Sequence, residues 1–446
     1  MAKMKDSGIE WIGEIPEDWE VKKLKYVSNE NEKTLSENTD PNFEFDYVDI
    51  GSVKYGKGIT DFQRMCFSKS PSRARRIVRK GDVIVSTVRT YLKSVANILD
   101  FDIPIIVSTG FSVLSAKNKI INQEFLKFSV LCESFTSMVE AYSVGITYPA
   151  INSSSLINLK IPLPPPETQK RIADFLDAKC SKIDTLKTDI QKQIETLEQY
   201  KKSVITEAVT GKLKFAGINP NAKMKESGID DVEQIPESWE EKKIKFLFDL
   251  VNDQNHLPMD KVQLLSLYTE LGVFPHGEQE ERGNKAVTVE GYKKVKKNDL
   301  VVNIILAWMG AMGISNYDGV TSPAYDIYRP KSENANPKYY HYLFRTPWFA
   351  GECDKYGRGI MRMRWRTYSQ EFMNIKIPYP SPEEQKQIAD YLDKKCSSID
   401  SIISTKKQQL EKLEEYKKSL IFEYVTGKRE VSCEFPSETS GKKEVV

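Results

Sequence analysis

Two stretches of this chain set arginines among aromatic residues, with no catalytic group beside them. Arg362, Arg364 and Arg366 fall on alternate positions, so in a strand they share one face, with Arg358 and Tyr368 close by. Upstream, Arg73, Arg75, Arg76 and Arg79 form a cluster, and Thr87, Arg89 and Tyr91 alternate in the same manner, followed by Lys93. Tyr148 and Trp308 extend the aromatic complement of the two stretches. A guanidinium can grip a guanine edge with two hydrogen bonds or neutralise a phosphate. A solvated charged face accounts for any one of these residues, whereas clusters at corresponding places point to nucleic-acid binding.

Catalytic chemistry is not legible. Gly51 to Gly58 (GSVKYGKG) has the spacing of a phosphate-binding loop but carries Gly58 where a Mg²⁺-binding Ser or Thr belongs, so it reads as a strand turn. His256, His276 and His341 are isolated and form no zinc motif. Glu20-Val21-Lys22 and Glu240-Glu241-Lys242 resemble the tail of a nuclease motif without the carboxylate needed to share a metal, and read as solvated faces. No Asn-Pro-Pro-aromatic or Gly-rich signature of an adenine methyltransferase is present. Catalytic and metal-ligating residues are therefore expected to be none.

The 446 residues carry a net charge of +2, with 40% apolar and 29% charged residues, a globular profile with room for two to four domains. The charge is unevenly spread: residues 42–160 hold 15 Lys and Arg against 10 Asp and Glu, and residues 257–376 hold 17 against 13. The basic parts suggest a focused footprint rather than a polycation. No apolar run is long enough to span a bilayer and no signal peptide opens the chain, so a cytoplasmic protein without membrane contact is expected. The six cysteines include no C-x-x-C pair, and Cys180 and Cys396 read as reduced packing residues.

What positions the basic parts is a repeat. Ile161 to Lys212 returns as Ile377 to Lys428 with 31 of 52 positions identical and no gap. A shorter opening, Ile15-Pro16-Glu17 with Trp19, returns as Ile235-Pro236-Glu237 with Trp239. Pro166 suits the first position of a helix and Glu167 its first turn. Leu176, Ile183, Ile190, Leu197 and Val204 follow at intervals of seven, with Ile172, Leu186, Ile194 and Tyr200 widening the stripe. The second copy keeps Leu392, Ile399, Leu413 and Leu420, with Lys406 interrupting, and Gly211 and Gly427 suit helix caps. Each helix should run about 45 residues, or roughly 65 Å. A stripe this long on one exposed helix would leave much apolar surface in water, so the two copies are expected to pair antiparallel and hold the inserts apart as a stiff spacer.

The expected fold is α+β: two strand-rich α/β recognition domains separated by two long helices packed as an antiparallel coiled coil, with a pseudo-twofold internal repeat. The expected divisions are residues 1–41, an N-terminal segment; 42–160, the first recognition domain; 161–212, a central helix; 213–256, linker and repeated opening; 257–376, the second recognition domain; 377–428, a C-terminal helix; and 429–446, a disordered tail. Within the inserts, Arg79 to Ser86 matches Lys296 to Asn303 as a turn and strand, after which the copies diverge. Gly145 to Pro149 likewise faces Gly359 to Arg366.

The duplicated Ile-Pro-x-Pro-x-Pro-Glu-x-Gln-Lys-x-Ile-Ala-Asp-aromatic-Leu-Asp, at Ile161 to Asp177 and Ile377 to Asp393, with the openings at Trp19 and Trp239, resembles the specificity subunit of a Type I restriction-modification system. One departure is the Lys406 break in the second stripe, which leaves an ideal heptad. The resemblance implies a non-catalytic DNA-binding subunit whose two domains each read one half of an asymmetric bipartite site in double-stranded DNA. It implies as partners two methyltransferase subunits and, through them, restriction and translocase subunits. S-adenosylmethionine, ATP and Mg²⁺ would belong to those partners. Two other classes stay open at this point: a fused methyltransferase or nuclease, and a coiled-coil scaffold that does not bind DNA.

Overall fold

The computed structural model describes residues 3–213, 223–269, 271–277, 288–361 and 365–431. The chain forms two compact units, one of Met1–Ile190 with Gln408–Val446 and one of Gln191–Lys407.

Each insert is tied off at a neck of the same design. In the first unit Glu20–Lys23 pairs antiparallel with Lys160–Leu163, placing Lys22 opposite Ile161. In the second, Glu240–Lys243 pairs with Lys376–Tyr379, placing Lys242 opposite Ile377. The prolines of the Ile-Pro exits are tolerated because a two-stranded ribbon leaves one side of each strand without a ladder to fill. The Glu-x-Lys segments thus belong to the necks, where Lys22 pairs with Glu20 at 2.7 Å and Lys242 with Glu240 at 2.9 Å.

The first insert holds two four-stranded sheets. One has the order Val95–Asn97, Val83–Ser86, Phe111–Ala116, Ser28–Glu30; the other Gln63–Cys66, Glu44–Val48, Ile105–Ser108, Ala74–Ile77. Among the described residues the second insert has one four-stranded sheet, Phe248–Val251, Tyr325–Pro330, Leu300–Asn303, Met312–Ile314, and two-stranded pairs beside it. Both sheets recruit a strand from before the sequence boundaries of 42 and 257, because a ladder uses backbone groups that composition does not mark. Gln123–Leu131 and Glu133–Ala141 supply helical cover in the first unit, burying Phe125, Phe128 and Phe135. Pro337–Phe344 and Pro347–Lys355 do so in the second with Tyr339, Tyr340, Phe344 and Phe349.

The long helices run Pro166–Val209 and Pro382–Val425, 44 residues each and about 66 Å at 1.5 Å per residue. Both start at the expected proline, and Gly211 and Gly427 follow their ends with φ of +77° and +71°. Within the first unit Asp184 bonds Lys417 at 2.7 Å and Lys187 pairs with Glu414. Within the second, Lys201 bonds Asp400 at 2.7 Å and Lys406 reaches Gln193 at 2.5 Å. Numbers rise along one helix and fall along the other, so each unit pairs its helical segments antiparallel. Lys406 breaks the apolar stripe because it makes a polar contact across that pairing.

Leu176, Ile183, Leu392, Ile399 and Leu420 are buried, and Ile190, Leu197 and Leu413 are half-buried. Of the residues that widen the stripe, Ile172 and Ile194 are buried, whereas Leu186 and Tyr200 are exposed beyond the seam. Each opening segment packs on the end of the helix from the other repeat. In the first unit Leu420, Ile421, Tyr424 and Val425 join Ile9, Ile12, Ile15 and Trp19. In the second Val204, Ala208 and Val209 join Val232, Ile235 and Trp239. A Cβ on Gly427 or Gly211 would stand 2.3 Å from Pro16 or Pro236, so the approach needs glycine for its space as well as its φ.

Val431 packs against the first core and Arg429 pairs with Glu423 at 3.6 Å, so these residues of the expected tail are ordered by contact; residues 432–446, like 214–222 of the expected linker, lie outside the described residues. Among the described residues no helix is long and apolar enough to cross a membrane, and no His, Cys, Asp and Glu group could hold a metal. Cys180 and Cys396 are buried and unpaired, and burial pushes the Cys180 thiol up to about 11.

Candidate nucleic-acid interface

Val83–Ser86 is buried at every position and lies between two neighbours in its sheet. Beyond Ser86 the chain leaves the sheet. Arg89 takes φ +52°, Thr90–Leu92 makes one 3₁₀ turn, Lys93 takes φ +48°, and Val95–Asn97 returns to the ladder. Thr87, Arg89 and Tyr91 therefore do not alternate along a strand, as their spacing suggests. The loop is pinned at its base: Thr87 N donates to Gly110 O at 2.8 Å, and Ile151 N donates to Thr87 O at 2.9 Å. The buried Thr90 hydroxyl donates to Ser143 Oγ at 2.8 Å.

These bonds bring a second loop alongside. Val144 and Ala150 exchange both backbone bonds, at 2.9 and 3.0 Å, and Ala150 also bridges Val88. Arg89 and Tyr91 from one loop and Ile146 and Tyr148 from the other are exposed together. The Arg89 guanidinium stands 5.4 Å from the Tyr148 ring centre, a cation–π contact that aims a flexible cation.

The second unit repeats the plan with other side chains. After Leu300–Asn303 comes a 3₁₀ turn, Ala307–Met309, and Gly310 with φ +80°, before Met312–Ile314. Thr367 N donates to Ile304 O at 3.0 Å, and Arg358 and Arg366 exchange backbone bonds at 2.9 and 3.0 Å. The tip between them exposes Ile360 and Met361. Trp308 is half-buried, its indole donating to Ile305 O at 3.0 Å, so it braces the loop as much as it faces outward. Arg358 pairs with Glu371 at 3.0 Å, while Arg366 and Tyr368 are exposed. Arg366 sits in an isolated bridge rather than a strand, and Arg362 and Arg364 lie outside the described residues.

Two other expectations change. Lys93 is turned inward: its side chain is 21% exposed, and its amine lies 3.4 Å from Ser137 Oγ, 3.7 Å from Glu133 and 3.9 Å from Glu140. With those carboxylates around it, it is poorly placed for phosphate. The cluster of Arg73, Arg75, Arg76 and Arg79 is not one surface, because Ala74–Ile77 is a strand that sends neighbours to opposite faces. Arg75 lies over Phe67 at 5.1 Å, Arg76 buries an unpartnered Nε, and Arg79 bonds Glu32 at 3.2 Å, leaving Arg73 exposed.

Sequence reading missed the buried Gln169 and Gln385, and the exposed Ile146 and Ile360. Gln169 accepts from Asn122 N at 2.7 Å and donates to Pro164 O at 2.8 Å; Gln385 accepts from Asn336 N at 2.9 Å and donates to Pro380 O at 3.0 Å. Asn122 and Asn336 cap the first covering helix of each insert, so each glutamine locks an insert to the start of a long helix. Their identity in both copies of the repeat was the available signal.

The family model described as the Type I restriction modification DNA specificity domain matches residues 16–196 and 236–413. The chain belongs to this family. Its two specificity domains correspond to the two repeats, each with its own neck and loop pair. The chain is 28% identical over 436 residues to the Type I restriction enzyme MjaVIII specificity subunit of Methanocaldococcus jannaschii, covering 93% of each. Among solved structures, a chain from a study of assembly and conformational transition of the type I R-M system aligns with TM-score 0.69 and 20% identity, covering 93% of this chain and 99% of that one. The HsdS subunit from Thermoanaerobacter tengcongensis aligns with TM-score 0.51 and 20% identity, covering 93% and 98%. These similarities concern the fold, an α+β architecture with two repeated specificity domains.

Proposed function

We propose that this chain is the DNA-reading subunit of a Type I restriction-modification complex, each specificity domain recognising one half of an asymmetric bipartite site. The observation that carries the reading is the pair of loop surfaces. Both inserts present a loop after a buried strand, hydrogen-bonded to a second loop, while the exposed side chains differ: Arg89 and Tyr91 in one, Met309 and Arg366 in the other. A shared scaffold with different contacts is what two readers of different sequences need.

Catalysis is assigned to partners: two methyltransferase subunits with S-adenosylmethionine, and restriction subunits with ATP and Mg²⁺, acting on adenines and DNA that this chain selects. Its place would be the cytoplasm, with that DNA. The test is to co-express the chain with its methyltransferase partner and map methylated adenines, then repeat with residues 42–160 exchanged for another recognition insert. One half-site should change while the other half and the gap persist. Change in both halves, or no sequence-selective methylation, overturns the reading.

A further inference from the structure

Ile146 and Ile360 are exposed to 103% and 99%, as fully as in an extended chain. Singly exposed apolar residues are ordinary. These two differ because they occupy equivalent places. Each follows a glycine, Gly145 or Gly359, just inside a loop closed by paired backbone bonds, Val144 with Ala150 in one unit and Arg358 with Arg366 in the other.

Neither loop hangs free at its base. In the first unit Ile151 N bonds Thr87 O at 2.9 Å, and Gly145 adopts φ +119° to make the turn. In the second, the Thr367 hydroxyl donates to Cys353 O at 2.8 Å, and the Trp365 indole donates to Asp354 O at 3.1 Å while filling the space where Gly357 would carry a Cβ. The bases of both loops are thus anchored, and Ile146 and Ile360 stand exposed above them.

Cations stand beside both tips. Arg89 reaches Tyr148 in the first loop and is exposed. Arg366 closes the second loop and is exposed. An exposed branched apolar side chain with guanidinium groups beside it fits the major groove, where the one apolar feature of a base edge is the C5-methyl of thymine.

We propose that Ile146 and Ile360 each contact a thymine C5-methyl group in the major groove of the half-site read by their own domain. The proposal rests on the DNA-reading function above and adds a contact common to both halves. Residues that differ between the inserts distinguish the two sequences, whereas a residue shared by both should touch something both half-sites contain. Adenine methylation in each half would supply that element, since every adenine faces a thymine.

The test uses the complex assembled with its methyltransferase partner and duplexes carrying the mapped site. Thymines are replaced one at a time by deoxyuridine, which lacks only the methyl group. In the first half-site one replacement should weaken binding by about fourfold, the loss of one buried methyl. Ile146→Ala should abolish the thymine-over-uracil preference at that position and leave the second half-site's preference intact; Ile360→Ala should do the converse. Ile146→Val, which keeps the branch, should retain most of the preference.

Unchanged thermal unfolding of both alanine variants is expected from their exposure. A thymine-over-uracil ratio that is flat across the half-site, or that survives Ile146→Ala, overturns the contact. So does an Ile146→Ala loss that is equal on thymine and uracil duplexes, the behaviour of a wedge between base steps. A wild-type complex without sequence-selective binding would instead sink the DNA-reading function.

Discussion

Replacing Gln169 by Met should loosen the first recognition insert from its helix while leaving the second insert unchanged. The glutamine is buried, accepts one bond from Asn122 N, and donates two, to Pro164 O at 2.8 Å and Ile120 O at 3.3 Å. Methionine fills nearly the same volume, so the cost reports lost bonds rather than a cavity. A buried polar group left without its partner costs about 1–3 kcal/mol, and Gln169 serves three, the longest bond contributing least. The expected loss is roughly 3–5 kcal/mol for local opening. Gln385, with two bonds to Asn336 N and Pro380 O, should cost roughly 2–4 kcal/mol when replaced in the same way. Hydrogen exchange resolved to peptides around Asn122 and Asn336 is the assay, because two compact units need not unfold as one transition. A loss of about 3 kcal/mol is a protection factor lower by roughly 150-fold at the affected helix start. The double variant should show the two effects independently. Less than tenfold change around Asn122 in Gln169→Met, or an equal change around Asn336, would refute the lock.

Arg89→Ala and Arg366→Ala separate reading from holding. A base contact should cost roughly 1–3 kcal/mol at one position of the site, and a phosphate contact should weaken all sequences together and lower the salt slope by about one. No change in affinity, specificity or salt slope in either variant would remove that residue from the interface. Deleting Ile183–Asp189 with Lys412–Lys418 removes a heptad from each helix together with both members of the Asp184–Lys417 and Lys187–Glu414 pairs, leaving Lys201–Asp400 in place. If helix length sets the gap between half-sites, the roughly 10 Å shortening should shift a spacer library toward gaps up to about three base pairs shorter, and an active complex preferring the original gap would count against it. His341, half-buried and accepting from Arg345 at 3.0 Å, has its pKa lowered from 6.5 to about 4, first by desolvation and then by the Arg345 charge. The unfolded chain therefore binds this proton more readily. The stability of the second unit should fall as pH drops from 6.5 towards 4, by up to about 3 kcal/mol, and His341→Gln should flatten that slope in pH-dependent urea unfolding.

The repeat, the long helices and their ends were legible because their causes are local. Heptad spacing, Pro166 at a helix start and Gly211 past its end act within a few residues, and the structure places all of them as expected. The sequence by itself also told that two frames carry different basic inserts, since that needs only the comparison of one half with the other. Which side chains share a surface was decided elsewhere. Arg89 meets Tyr148 only because Val88 bridges Ala150, a contact across more than sixty residues that no spacing rule encodes. Lys93, adjacent in sequence to the exposed Tyr91 and Leu92, turns inward because its left-handed backbone carries it towards Glu133 and Glu140. Gln169 has nothing in its local spacing that marks it as buried, and the packing of Asn122 over the helix start makes it a buried lock. Local periodicity determines elements, but burial depends on what distant segments are folded against them, and only the tertiary structure supplies those neighbours.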